Sequence, residues 1–191
     1  MNLAILQILF FVCIPIGIGL LIVGIKMIYK VFNTNILAEI RMSAESVNFE
    51  ITKSGSYAIW VKAPVFQRNY LDKVKIKIYN QDKQEYKELW YNIFSTQSNN
   101  GSVGKMKFLT FNAEAGNYKA ELSEGTNLWT TERILARALP VKEADINNCF
   151  FQVRENTSWY YGLSGILLIV LGAGGSMAGF VLGLLTEKIW G

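Results

Sequence analysis

Two stretches of this chain run for more than twenty residues without a charged side chain, and they stand at its two ends. The first is "NLAILQILFFVCIPIGIGLLIVGI", residues 2–25, and the second is "YYGLSGILLIVLGAGGSMAGFVLGLL", residues 160–185. As a helix the first would extend about 36 Å, enough to cross a hydrocarbon layer of roughly 30 Å. Trp159, Tyr160 and Tyr161 precede the second run and Trp190 follows it. Aromatic rings with a polar edge favour the headgroup level, so both its ends are marked as interfaces. Buried helices of water-soluble proteins rarely reach such lengths without a charge. Residues 2–30 and 159–186 are therefore expected to be transmembrane helices. A cleaved leader would need a basic start, a shorter apolar centre and a small-residue cleavage site. Here no Lys or Arg precedes the run, "KMIYK" follows it, and Val12 stands before Cys13 where a lipoprotein would carry a small residue. The first helix is expected to stay attached.

Glycine marks both helices. Gly175, Gly179 and Gly183 fall four apart in "GSMAGFVLG", with Gly172 and Ser176 on an adjoining face, while Gly17 and Gly24 lie seven apart in the first helix. In water each interior glycine costs a helix roughly 1 kcal/mol relative to alanine. In lipid the backbone stays helical because no solvent can take its hydrogen bonds, and glycines on one side let a second helix approach closely. Gly175, Gly179, Gly183, Gly17 and Gly24 are thus the expected helix-packing residues. Three partners remain open: the chain's other helix, a second copy, or a larger membrane protein. Pro15 is expected to bend the first helix. Neither run holds Asp, Glu, Lys, Arg or His, which argues against a proton or metal path through the membrane.

The residues between the helices change period. In "DKVKIKIYN" (72–80) Val74, Ile76 and Ile78 alternate with Lys73, Lys75 and Lys77, the pattern of a half-buried antiparallel strand. Similar alternation marks 46–52, 55–64, 86–95, 103–112, 116–125 and 149–155, and turn-rich pieces such as "KSGS" and "TQSNNGS" separate them. Seven short strands over residues 31–157 predict a two-layer sandwich, with a barrel as the alternative. "ITKSGSYAIWV" and "FNAEAGNYKAEL" each pass through a polar turn to Gly, one residue, then Tyr. These starts resemble the Gly-x-Tyr strand starts of immunoglobulin-like and jelly-roll modules of cell-surface proteins. The expected fold is a membrane-anchored all-β chain: an immunoglobulin-like or jelly-roll β-sandwich of about seven strands between two transmembrane α-helices. "TTERILARALPV" (130–141) reads as a short amphipathic helix ended by Pro140, covering an open end of the sandwich or lying on the membrane. "FNTNILAEIRM" (32–42) reads as an extension of the first helix, with Lys26 and Lys30 reaching toward headgroups.

Chemistry is constrained by what the chain lacks. It has no histidine and two cysteines, so histidine-dependent nucleophiles and thiolate–imidazole metal sites are not expected. Cys13 and Cys149 lie in different segments and are expected to remain unpaired, Cys149 as a small buried hydrophobe. The carboxylates Asp72, Asp82, Asp145, Glu114, Glu121 and Glu124 form no recognisable pair or nucleotide motif. No enzyme activity and no cofactor are expected. Lys73, Lys75 and Lys77 read as a solvated strand face that discourages edge pairing. Trp60, Trp90 and Trp129 are candidates for exposed rings and offer a glycan-binding surface as an alternative. Nucleic acid would need a larger basic patch with stacking aromatics and is not an expected partner.

Topology rests on opposing signals. Lys26, Lys30, Arg41, Lys142 and Arg154 flank the helices on the loop side, against Lys188 on the tails. The positive-inside rule would hold the sandwich in the cytoplasm, but long loops cross largely regardless of charge. The strand-rich domain, its Gly-x-Tyr starts and its lack of redox chemistry fit the outside better; the "NGS" and "NTS" triplets at 100 and 156 are glycosylation acceptors by pattern, a pattern that often arises by chance. The expectation is a two-span cell-membrane protein with an extracytoplasmic middle domain and lipid around its helices. As a homo-oligomer or part of a larger membrane complex, it would serve as a non-enzymatic accessory or structural subunit. The alternatives are a subunit of an oligomeric channel or transporter, and a surface glycan- or ligand-binding module.

Overall fold

The computed structural model describes residues 3–91, 96–129 and 141–190. They fall into two compact units: Met1–Asn33 together with Thr157–Gly191, and Thr34–Asn156. The expected helix over 130–141 lies outside the described residues, apart from Val141.

The first unit is a pair of helices, α1 (Leu3–Phe32) and α2 (Trp159–Trp190). Both are long and apolar enough to cross a membrane. They run antiparallel, since Gly24 meets Gly165 while Gly179 meets Phe10. Pro15 sits inside α1. The helix stops at Phe32 because "NTN" follows. Asn33 turns both its backbone N–H (3.0 Å) and its side-chain amide (3.3 Å) onto the Tyr29 carbonyl, and such side chains favour helix ends over interiors. At this end of the pair, the Lys30 ammonium lies 5.1 Å from the centre of the Tyr161 ring.

The second unit is built of antiparallel strands in two sheets. The larger sheet contains β1 (Ile36–Arg41), β10 (Phe150–Glu155), β3 (Gly55–Pro64), β8 (Val103–Ala113) and β6 (Trp90–Tyr91) in that order, with β7 (Gln97–Asn99) also paired to β8. The smaller sheet runs β2 (Ser46–Ile51), β9 (Gly116–Glu124), β4 (Val74–Asn80) and β5 (Glu85–Tyr86). One apolar core joins them. Ile40, Ile59, Phe111 and Phe151 enter it from the larger sheet, and Ile51, Ile76, Ile78 and Tyr118 from the smaller. Two antiparallel sheets sharing their inner faces are consistent with a β-sandwich.

Three expectations change here. The count of about seven strands is too low: ten are present among the described residues, several of only two or three residues. The single strand expected over 86–95 is instead β5 in one sheet and β6 in the other, with 92–95 outside the described residues. Residues 32–42 do not extend the helix. Ala38 and Ile40 point into the core from β1 while Glu39 and Arg41 stay outside it, because the segment pairs with β10 more than a hundred residues away.

The two Gly-x-Tyr starts are structurally alike. Each follows a crossing between sheets: β2 to β3 over Thr52, Lys53 and Ser54, and β8 to β9 over Glu114 and Ala115. The Tyr57 hydroxyl donates to the Lys53 carbonyl at 2.5 Å, and the Tyr118 hydroxyl to the Glu114 carbonyl at 3.0 Å. Each ring is thereby buried while its polar end ties down the crossing that precedes it. Only one of the two glycines is required by its surroundings. Gly116 has φ +153°, and a Cβ there would stand 2.5 Å from an Asp82 oxygen; no atom lies within 4 Å of the corresponding point at Gly55. Asp82 comes so close because it accepts the Asn117 N–H at 2.8 Å.

Candidate functional site

The helix pair is packed inside out by the standards of a water-soluble protein. Among the described residues its buried positions are Gly17, Gly24, Gly165, Gly172, Gly179, Gly183 and Thr186. Its large aliphatic side chains face outward, with Ile8 63%, Leu9 60%, Val170 62% and Leu171 61% exposed. At Gly17 a Cβ would stand 2.6 Å from the Gly172 carbonyl oxygen, and at Gly172 a Cβ would stand 2.5 Å from that of Gly17. Gly179 meets the Phe10 carbonyl oxygen in the same way at 2.5 Å, and Gly183 meets the Phe11 ring at 2.8 Å. The Ser176 hydroxyl donates across the seam to the Ile14 carbonyl at 3.2 Å.

Four of the five glycines singled out from the sequence therefore lie on the α1–α2 seam: Gly17, Gly24, Gly179 and Gly183. Gly175 does not, and no neighbour lies within 4 Å of its Cβ position. The seam follows a seven-residue repeat, with Gly165, Gly172 and Gly179 on α2 and Gly17 and Gly24 on α1. Two helices that stay in contact over many turns wind about each other and share positions every 3.5 residues on average. The seam also takes the residue four beyond a repeat position, Ser176 after Gly172 and Gly183 after Gly179, whereas Gly175, three beyond Gly172, falls beside it. The sequence reading placed Gly172 and Ser176 on a flanking face and passed over Gly165; the matching interval of seven in both helices was the signal.

A second candidate is the outer face of the larger sheet, where charged groups converge. One register row crosses four strands as Glu39, Gln152, Trp60 and Lys107. Gln152 donates its amide N–H to Glu39 and accepts with its oxygen from the Arg154 Nε at 3.0 Å. The Arg154 guanidinium lies 5.2 Å from the Trp60 ring centre, and Lys107 donates to the Asn156 side-chain oxygen. Trp60, whose strand pattern made it a candidate exposed ring, is 3% exposed and so is not a surface ring. Its neighbours Gln152 and Arg154 are each 2% exposed. Trp90 and Trp129 are exposed.

Burial alone would raise the Glu39 carboxyl, but hydrogen bonds from Gln152 and Lys62 and the charges of Lys62 and Arg154 outweigh it and hold the group below its ordinary value. Burial lowers the Lys107 amine and the Arg154 guanidinium, with Glu39 opposing at Arg154. A carboxylate lowered on folding contributes stability above its unfolded value, about 4.3, and loses it as pH falls through the folded value. Glu39→Gln should thus be less stable than the wild type at pH 7, with the difference closing as pH drops below about 4. Denaturant melts at a series of pH values measure this, and a difference independent of pH would overturn it.

The remaining candidates have structural surroundings. Ile76 and Ile78 are fully buried while Lys73 and Lys77 are exposed. Lys73 pairs with Glu143 at 2.9 Å, and Glu143 also meets Arg68. Cys13 and Cys149 are free thiols. Cys149 is fully buried, and burial, then the nearby Asp145, raises its thiol.

The chain thus joins two terminal helices of membrane-spanning length and polarity to a mostly antiparallel β-domain. No protein-family model matches it, and no curated protein is similar to it in sequence.

Proposed function

We propose that this chain is a non-enzymatic two-span membrane protein, an accessory or structural subunit whose helix hairpin anchors an extracytoplasmic interaction module. The observation that carries the reading is the inverted polarity of the hairpin: glycine backbones inside, Ile, Leu and Val outside. Water would drive those aliphatic side chains inward at roughly 1.5–3 kcal/mol each. Lipid has no such preference, and in it helices associate through close backbone contact instead. The module is of jelly-roll type. In support, β2 pairs with β9 in one sheet and β3 with β8 in the other, so the two sheet-crossing connections lie side by side as one wrapped double ribbon.

Membranes from cells expressing the chain should retain it through an alkaline carbonate wash and release it in detergent. A protease added to intact cells should cleave within Thr34–Asn156. Release by carbonate alone would overturn the anchor, and protection of a domain that is cleavable after lysis would place it in the cytoplasm. Conductance from purified chain in planar bilayers would favour the channel-subunit reading instead.

A further inference from the structure

Beside the row of Glu39, Gln152, Trp60 and Lys107, one step toward the Arg41 end of β1, the next register row of the larger sheet reads Arg41, Phe150, Lys62, Lys105 across four neighbouring strands. Phe151 and Val61 alternate into the core, so Phe150 and Lys62 leave the sheet on its outer side. The Arg41 guanidinium lies 5.9 Å and the Lys62 ammonium 4.7 Å from the Phe150 ring centre. Lys105 stands directly opposite Lys62, a juxtaposition of like charges that costs stability. Glu39 answers Lys62 at 3.2 Å. Among the described residues neither Arg41 nor Lys105 has a carboxylate partner. With strands about 4.8 Å apart, the three cations mark a line of about 14 Å at right angles to the strands. The line runs out at β1, the edge of the sheet among the described residues.

We propose that this row binds a linear polyanion, and that the polyanion is an acidic polysaccharide laid across the strands. The inference rests on the reading of the domain as an outward-facing interaction module. A line of separated cations matches a chain whose carboxylates recur along its length, and a bound carboxylate between Lys62 and Lys105 would relieve their repulsion. Nucleic acid fits less well. It binds without sequence preference by stacking bases on open rings, and the Phe150 ring already lies against two cations. The exposed Trp90 is in register with Thr110, five residues along β8 from Lys105.

The test uses the full chain in neutral detergent with fluorescently labelled oligogalacturonate as probe. Binding should saturate at low salt and weaken toward an ionic strength of about 0.15 M. Arg41→Gln combined with Lys105→Gln should weaken it about tenfold, as the loss of two surface ion contacts implies, with cooperative thermal melting retained. Lys75→Gln combined with Lys77→Gln, on the other sheet, should leave it as it was. No binding at low salt would overturn the proposal. So would an equal loss in both double variants, or tighter binding of polyglutamate, single-stranded DNA or anionic vesicles. Binding in detergent does not depend on which side of a membrane the domain occupies, so a failure here and a failure of the protease experiment are separately visible.

Discussion

Gly17→Leu is expected to force α1 and α2 apart. The atoms its side chain would meet are the Ser176 hydroxyl, the Gly172 carbonyl oxygen, 2.6 Å from the Cβ position, and the Ser176 backbone nitrogen at 2.9 Å. The two backbone atoms cannot move without moving α2. Overpacking usually costs 1–3 kcal/mol, and an obstacle made of backbone puts this variant near the top of that range, at about 3 kcal/mol. Gly179→Ile meets the Phe10 carbonyl oxygen and the Cys13 side chain and should behave similarly. Gly19→Leu and Gly175→Leu are the controls, since nothing lies within 4 Å of either Cβ position. Two readouts apply in detergent or nanodiscs: the thermal midpoint, and the distance between spin labels at the outward-facing Ile18 and Leu171. An unchanged distance and midpoint in Gly17→Leu would mean that the seam is not the contact that holds the helices together. A loss of oligomer in Gly175→Leu with an intact hairpin would place a second chain against that face.

The second large effect is expected in the β-domain. Tyr118 is fully buried, stacks on Phe49 at 5.8 Å, accepts from the Asn80 amide at 3.0 Å and donates to the Glu114 carbonyl at 3.0 Å. Tyr118→Ala opens a cavity between the sheets, which for an aromatic ring costs about 3–5 kcal/mol. It also strips the buried Asn80 of a partner. Against a total stability of roughly 5–15 kcal/mol for a domain, that change should leave a substantial fraction unfolded under mild denaturant. Tyr118→Phe keeps the ring and loses only the hydroxyl, so it should cost about 1–3 kcal/mol. Tyr57→Phe should cost less, because among the described residues the Tyr57 hydroxyl bonds only the Lys53 carbonyl. Urea titrations of the full chain in detergent, followed by tryptophan fluorescence, give the order directly. If Tyr118→Phe proved as stable as the wild type, the hydroxyl would not be tying the β8–β9 crossing to β4.

How much of this was legible beforehand differs between the two units. The helices were, because freedom from charge over more than twenty residues is a property of the chain alone. So was most of the sheet framework: alternation in 46–52, 55–64, 72–80, 103–112 and 116–125 corresponds to β2, β3, β4, β8 and β9. The Gly-x-Tyr starts announced inward rings with hydroxyls in reach of backbone, and both hydroxyls found it. Local pattern suffices in these cases because period and length are set by the backbone's own geometry.

Tertiary structure decided the rest. "NILAEIR" is rich in good helix formers, and its locally favoured form is helix. It becomes β1 because Ala38 and Ile40 are worth more inside the core opposite β10 than on a solvated extension of α1. Trp60 alternates like a surface residue, yet lies buried against Arg154 on the outer side of its sheet. The glycines show the same division. Sequence placed Gly175, Gly179 and Gly183 along one side of α2, but which of them touch α1 depends on how the second helix winds past the first. A period states which residues share a face. It does not state what that face meets, because the partner is chosen by contacts between segments far apart in the chain.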